Sequence, residues 1–376
     1  MAEPAARPSP RPDGASRAAR DWGRRLARSG ATLAAALAVG LLVLGGLLVA
    51  GGYDAGRSLA ALWEGSFGSS SALFSATLVR ATPLILAGLA VALAFTTGVL
   101  NIGAEGQLLA GATAAAAVGV YATVFPGPVA PVLAALAGAL AGGAWALPAA
   151  VLRRRFGVLE VISTIMLNFI AVYLVGWLVR GPLQEPTRIY PQSASIASAA
   201  RLPILLPGTR LHVGFALAVV AAAALWWALR RTAWGFRLRV SGASPTAAAS
   251  AGLIDVPRTA AAAFLASGAL AGLAGAVEVG GVTYALYENI SPGYGYTAIA
   301  VALLARLDPL LVVASGVMFG ALEAGAGAMQ RDAGVPSVVV SVVQAVIILM
   351  LVALDWLRDR PTRGASWWGE GAPARP

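Results

Sequence analysis

Residues 96–112 read TTGVLNIGAEGQLLAGA. Asn101, Glu105 and Gln107 sit there among Gly98, Gly103 and Gly106, between two apolar runs. The glycines weaken helix continuity and allow close backbone approach. A carboxylate at mid-bilayer costs about 2.5 kcal/mol or more unless it meets water, a donor or a helix N-terminus. Two readings follow from these residues. The break lines a translocation path or sets its shape, or it is a cytoplasmic turn with Asn101 as helix cap and Glu105 in the first turn.

A second polar cluster is VEVGGVTYALYENISPGYGYTAIAVALLARLDP, residues 277–309. It holds Glu278, Glu288, Asn289, Tyr294 and Tyr296, with Gly293 and Gly295 at a bend that opens a half-helix. Such discontinuous helices form gates or sites in transporters. An outer-face loop with interfacial tyrosines is the alternative. A third cluster, in GVLEVISTIMLNFIAVYLVG (residues 157–176), places Glu160, Ser163, Thr164 and Asn168 on one helical face. That face meets a pore or neighbouring helices rather than lipid.

The remaining inventory excludes much chemistry. The chain has no Cys, and its one His, His212, cannot form a two-His metal motif. No metal site is expected. All 27 basic residues are Arg. The phosphate-binding loop needs a Lys, so the chain holds no standard ATP site. It is not expected to be an enzyme. It needs no cofactor of its own, and ATP and Mg belong on a partner.

The elements that must position these residues are membrane helices. The 376-residue chain is 58% hydrophobic and 12% charged, against about 25% charged in soluble domains. Its mean hydropathy is +0.76. Apolar runs predict ten transmembrane helices, at about 31–50, 73–97, 105–123, 129–151, 158–179, 212–229, 258–277, 295–307, 309–328 and 335–355. The span at 295–307 is short enough to be a half-helix. Residues 1–30 read as a disordered Arg- and Pro-rich cytoplasmic tail, 31–357 as the transmembrane domain and 358–376 as a second cytoplasmic tail.

Arginine placement tests the count. Twenty Arg fall on segments of one side and six on the other, with Arg80 near the outer end of a span, where it can snorkel. This predicts both termini in the cytoplasm of a multi-pass plasma-membrane protein, and argues against nucleic acid as the partner of its net charge of +10. Two sets of five spans would be inverted repeats. Asn101-Ile102 and Asn289-Ile290 each open a Gly-rich break after the second span of their half.

The longest inner loop is residues 230–258. Ser244 as N-cap, Pro245 at N1 and Gly252 as stop predict a short Ala-rich helix over 244–252. Such a helix can dock into another protein's groove, or simply connect. Ala248 and Ala251 share a face. The longest outer loop, about 180–211, carries five prolines and could meet an external binding protein.

Five blocks occur in order: FTTGVLNIGAEGQLLAGA, GVLEVISTIMLNFIA, GASPTAAASAGL, LYENISPGYGYTAIAVALLARLDP and MQRDAGVPSVVVSVVQAVIIL. Together, over residues 73–355, they resemble the permease subunits of bacterial nucleoside-type ABC importers. These belong to the branched-chain amino acid and simple-sugar permease superfamily. Leu159 and Ser244 stand where that family often has Asn. The resemblance implies an all-α, type II importer-like fold. It implies a complex with cytoplasmic ABC ATPases, a second and different permease chain, and an extracellular substrate-binding lipoprotein. The implied substrate is a nucleoside, with a sugar or a branched-chain amino acid as the nearest alternative. By that resemblance the ATPase-coupling residues are Gly242, Ser244, Pro245, Ala247, Ala248, Ala251 and Gly252. An ion-coupled secondary transporter using Glu105, Glu160, Glu278 and Glu323 is the rival from another class.

Overall fold

The computed structural model describes residues 38–122, 129–250 and 254–346, with 34, 35, 252 and 349 besides. Both expected tails lie outside the described residues. Twelve named helices cover them: α1 (Ala38–Ala50), α2 (Ala55–Ser66), α3 (Ala72–Thr96), α4 (Ala104–Val120), α5 (Val129–Phe156) and α6 (Glu160–Val179), then α7 (Val213–Arg231), α8 (Ala233–Ala243), α9 (Pro245–Ser250), α10 (Val256–Thr283), α11 (Tyr294–Leu304) and α12 (Pro309–Ala333). A further helical stretch runs over 338–346. Among the described residues there is no strand, only three isolated bridges.

Six helices, α3, α5, α6, α7, α10 and α12, are long and apolar enough to cross a membrane. The molecule is an all-helical, multi-pass membrane protein. Eight of the expected spans, 73–97 through 309–328, coincide with a helix. The outermost two, 31–50 and 335–355, are described only in part. Helix α11 has 11 residues, about 16 Å of rise, half of a hydrocarbon core of roughly 30 Å. The half-helix expected there is present.

One helix does not match the reading of residues 51–72 as a connecting segment. Asp54 caps α2 by accepting from Arg57 N at 2.9 Å. The helix packs on α12, where Ser66 Oγ donates to Ala321 O at 2.6 Å. The charges of Asp54, Arg57 and Glu64 lower its hydropathy, so a search for long apolar runs passes over it.

Helix α3 is the axis of the bundle. Every residue from Ala81 to Ala94 is buried, as expected of a helix that is apolar all round. Helices α7, α10, α11 and α12 surround it. On the other flank α4, α5 and α10 pack through small residues. A Cβ on Gly268 of α10 would stand 2.6 Å from Gly142 O of α5, and one on Gly138 would stand 2.6 Å from Ala276 Cβ. Gly272 lies against Gly111 of α4 and Gly138 of α5. Such contacts let helices approach where lipid offers no hydrophobic drive for association.

The outer loop is ordered rather than loose. Ser193 N donates to Leu286 O, and Leu286 N to Ser193 Oγ, both at 2.9 Å. Gln192 Nε2 and Thr187 Oγ1 each donate to Glu185 at 2.8 Å. These bonds hold the Glu185 carboxyl below the usual range.

Gly272→Leu should wedge α10 off α4 and α5. Overpacking a well-filled site costs about 1–3 kcal/mol, sometimes more, and here backbone would have to move. We expect a lower melting temperature in detergent and less folded protein in the membrane. A Gly272→Leu variant that melts like wild type would show that this contact is looser than described.

Candidate functional site

The two polar breaks meet inside the protein. Helix α3 ends at Thr96 and the chain turns through Gly98, which has φ +76°. It then forms a buried polar knot before α4 begins. Asn101 is fully buried. Its Oδ1 accepts from Gly103 N at 2.9 Å, and its Nδ2 donates to Gln107 Oε1 at 2.9 Å and to Ser267 Oγ at 2.8 Å. Ser267, on α10, passes the connection to α3 by donating to Ala90 O at 2.6 Å. Asn168 of α6 closes the other side. Its Oδ1 accepts from Gly106 N at 2.8 Å, and its Nδ2 donates to Ile102 O at 2.9 Å.

Glu105 reaches out of this knot to the second break. Its Oε2 accepts from Gly295 N at 2.7 Å, in the first turn of α11. Ser291 caps the same helix, accepting from Tyr294 N at 3.0 Å and Gly293 N at 3.2 Å. Gly295 has to lack a side chain, because a Cβ there would stand 2.5 Å from Glu105 Cα. The starts of α4 and α11 therefore touch at backbone level. A carboxylate at a helix N-terminus is favoured by the orphan N–H groups and the macrodipole.

Glu105 is only 4% exposed, lies in the first turn of α4 as the turn reading has it, and is held by another helix. Asn101 Oδ1 accepts from Gly103 N just ahead of that helix, inside the bundle. Non-helical backbone at such depth requires protein or water around it, and here protein supplies every named partner.

The remaining candidates divide. Ser163 and Thr164 bond back to Glu160 O at 3.1 and 2.7 Å. Thr164 and Asn168 of this stripe lie against the knot, at Gly103 and Gly106. Glu160 sits at the start of α6, where it accepts from Leu100 N at 3.3 Å and meets Arg153. Glu278 and Tyr294 are buried close to Glu323 and Arg80. Arg80, half-buried on α3, is the basic residue whose charge reaches these carboxylates. Glu288 lies apart, paired with Arg180 at 2.7 Å and next to exposed Asn289. The nine path candidates are four residues of one knot (Asn101, Glu105, Gln107 and Asn168), a buried pair beside it, and three at its edges.

Ser267, Ser291 and Tyr296 were not singled out as path candidates, although Tyr296 hydroxyl lies 3.3 Å from Asn168 Nδ2. A lone Ser on a Gly- and Ala-rich helix carries no distinct signal.

The inner loop folds into two helices. Helix α8 was not expected; Thr232 caps it through Gly235 N at 3.1 Å. Helix α9 begins at Pro245, with Ser244 Oγ accepting from Ala247 N at 3.3 Å, and Gly252 has φ +68°. Ala248 faces inward and is fully buried, whereas Thr246, Ala247 and Ala249 are exposed. The outward side of α9 in this structure is thus formed by Thr246, Ala247 and Ala249 rather than Ala248. Ala251 lies outside the described residues. Gly242, at the end of α8, packs on the backbone of Thr96 and Gly98; a Cβ there would stand 3.1 Å from Gly98 N. The inner loop is thus in direct contact with the start of the polar knot.

A buried polar knot thus joins the starts of α4 and α11 inside a bundle of apolar helices. Residues 73–354 match the family described as branched-chain amino acid transport system / permease component, and the chain belongs to it. It is 40% identical to the guanosine ABC transporter permease NupP of Bacillus subtilis, over 85% of this chain and 91% of that protein. It is 37% identical to the glucose ABC transporter permease TsgB13 of Haloferax volcanii, over 87% of each. It is 29% identical to the nucleoside ABC transporter permease NupB of Lactococcus lactis, over 84% of this chain and 88% of that protein. A second permease of each organism also matches, at 28%, 29% and 26% identity respectively.

The role of Glu105 predicts a graded series. Glu105→Gln keeps an acceptor for Gly295 N and loses only the charge–dipole part, about 0.3–1 kcal/mol. Glu105→Ala leaves the buried N–H of Gly295 unpaired, at about 1–3 kcal/mol. Melting temperature and substrate uptake should both rank wild type, Gln, Ala. An Ala variant as stable and active as the Gln variant would refute the capping role.

Proposed function

We propose that this chain is one permease of an ATP-driven nucleoside importer in the bacterial plasma membrane. Its similarity to the guanosine permease, across nearly all of that protein, carries the reading. The glucose permease match at 37% favours a sugar as the second reading. The two share chemistry, since the ribose of a nucleoside is itself a polyol. Loss of radiolabelled guanosine uptake in a deletion strain, restored by the plasmid-borne gene, is the expected result. Unchanged guanosine uptake with lost glucose uptake would transfer the assignment to sugars.

The assembly would contain cytoplasmic ABC ATPases, a second permease and an external substrate-binding lipoprotein. Two matching permeases in each of three organisms support a partner of different sequence. ATP and Mg would bind the ATPases, consistent with a chain that has no Lys. Ten spans with both termini in the cytoplasm are supported by the arginine asymmetry and by the eight helices that match expected spans. Two inverted halves are supported by the meeting of the two Asn-Ile breaks.

Within that assembly α9 is the ATPase contact, with Gly242, Ser244, Pro245, Ala247 and Gly252 setting its position. The outward residues Thr246, Ala247 and Ala249 would enter the groove. Movement of α8 and α9 would reach Thr96 and Gly98 through Gly242, and from there Glu105 and α11. Glu278, Glu288, Asn289 and Tyr294 would border the route that opens. Ala247→Cys should react with an impermeant maleimide in inside-out vesicles only, and Ala247→Arg should reduce ATPase co-purification and uptake by at least about ten-fold, the factor a 1.4 kcal/mol loss gives. Labelling from outside would reverse the topology, and full ATPase recovery with Ala247→Arg would remove α9 from the interface.

A further inference from the structure

A cavity of about 240 Å³ opens between the C-terminal end of α5, the start of α6 and the start of α10. Its walls are apolar, formed by Val99, Ala149, Ala260 and Phe264, and its mouth carries Arg153, Arg154 and Glu160. Glu160 is already engaged by Leu100 N. Arg153 Nη1 lies 3.3 Å from Glu160 Oε1, yet without hydrogen-bond geometry, and this buried guanidinium nitrogen has no acceptor. That nitrogen is closed off, but the Arg153 side chain is 37% exposed, so the rest of its guanidinium can meet an anionic oxygen at the mouth. Arg154 is exposed and makes no ion pair among the described residues.

The shape chooses among anions. Enclosed soluble ligands fill roughly 300–1,000 Å³. This cavity is smaller and greasy, so it suits a phosphate head and the first part of one acyl chain. The rest of the molecule has somewhere to lie, because Phe156 and Leu159 beside the mouth are 68% and 66% exposed. Basic pockets between membrane helices on the cytoplasmic side are suited to anionic headgroups. We propose that this cavity binds an anionic phospholipid through its phosphate, with Arg153 and Arg154 as its donors. Val256 and Pro257, where the inner loop enters α10, also line it. The bound lipid would brace the loop against the bundle.

The test uses the full-length chain, purified with the subunits that accompany it and delipidated in detergent. It is titrated with phosphatidylglycerol, or with phosphatidylcholine as the zwitterionic control, and followed by native mass spectrometry. One retained phosphatidylglycerol per chain is expected. Arg154→Gln should lower its retention about five-fold, the share of one basic residue beside an anionic leaflet. Ala261→Trp, which fills the mouth, should lower it as well. Arg57→Gln, on α2 away from the cavity, should not. Arg154 is exposed, so its variant should keep the wild-type melting temperature in detergent, separating lost binding from misfolding. Equal retention of the two lipids, or wild-type retention by Arg154→Gln, overturns the proposal. Complete displacement by excess inorganic phosphate would assign the site to a soluble anion and overturn the lipid assignment. None of these outcomes depends on which solute the permease carries.

Discussion

The bond from Gly295 N to the Glu105 carboxylate holds the rest of the site in place. Two helices, α4 and α11, begin inside the protein, with their first residues buried. Each beginning leaves orphan N–H groups with no water to receive them. The solution is reciprocal. The start of α4 provides the carboxylate that accepts from α11, while Asn101 and Asn168 accept from the start of α4. Gly295 permits this because a side chain there would collide with α4. Without the contact, α11 would present the unpaired amide of Gly295 to a buried site.

The small-residue packing of α4, α5 and α10 serves the same end from a distance. It sets these helices at backbone separation, which brings Ser267 of α10 within reach of Asn101. A larger residue at Gly142 or Gly268 would collide with the facing helix, at Gly272 or at Ala146, and push α5 and α10 apart. The knot is therefore rigid where it meets α5 and α10. It is joined to a shorter lever where Gly242 touches Thr96 and Gly98. In the proposed importer, work done on the inner loop would enter at that point.

Much of the architecture was legible in the sequence because membrane helices obey simple limits. Long apolar runs fixed the positions of α3, α5, α6, α7, α10 and α12. Glycine and proline marked the breaks at Gly98 and Ser291–Gly295. Ser244, Pro245 and Gly252 announced α9 through capping chemistry alone. Helices α2 and α8 escaped notice for one reason. Both carry charges and bury only one side, so neither produces a long run of hydrophobicity.

What the sequence determined by itself is the local grammar: which segments are apolar, where the helices break and which polar residues sit in the breaks. What only the tertiary structure decided is who faces whom. Residues 101–107 and 291–295 are nearly 190 positions apart, and no spacing rule links them. The same is true of Arg80 beside Glu278 and Glu323. It also holds for Ala248, which lies on the inner side of α9 although its neighbours on that helix are exposed. Burial of a polar group is tolerable only when a partner arrives from elsewhere in the chain, and packing alone brings that partner into place.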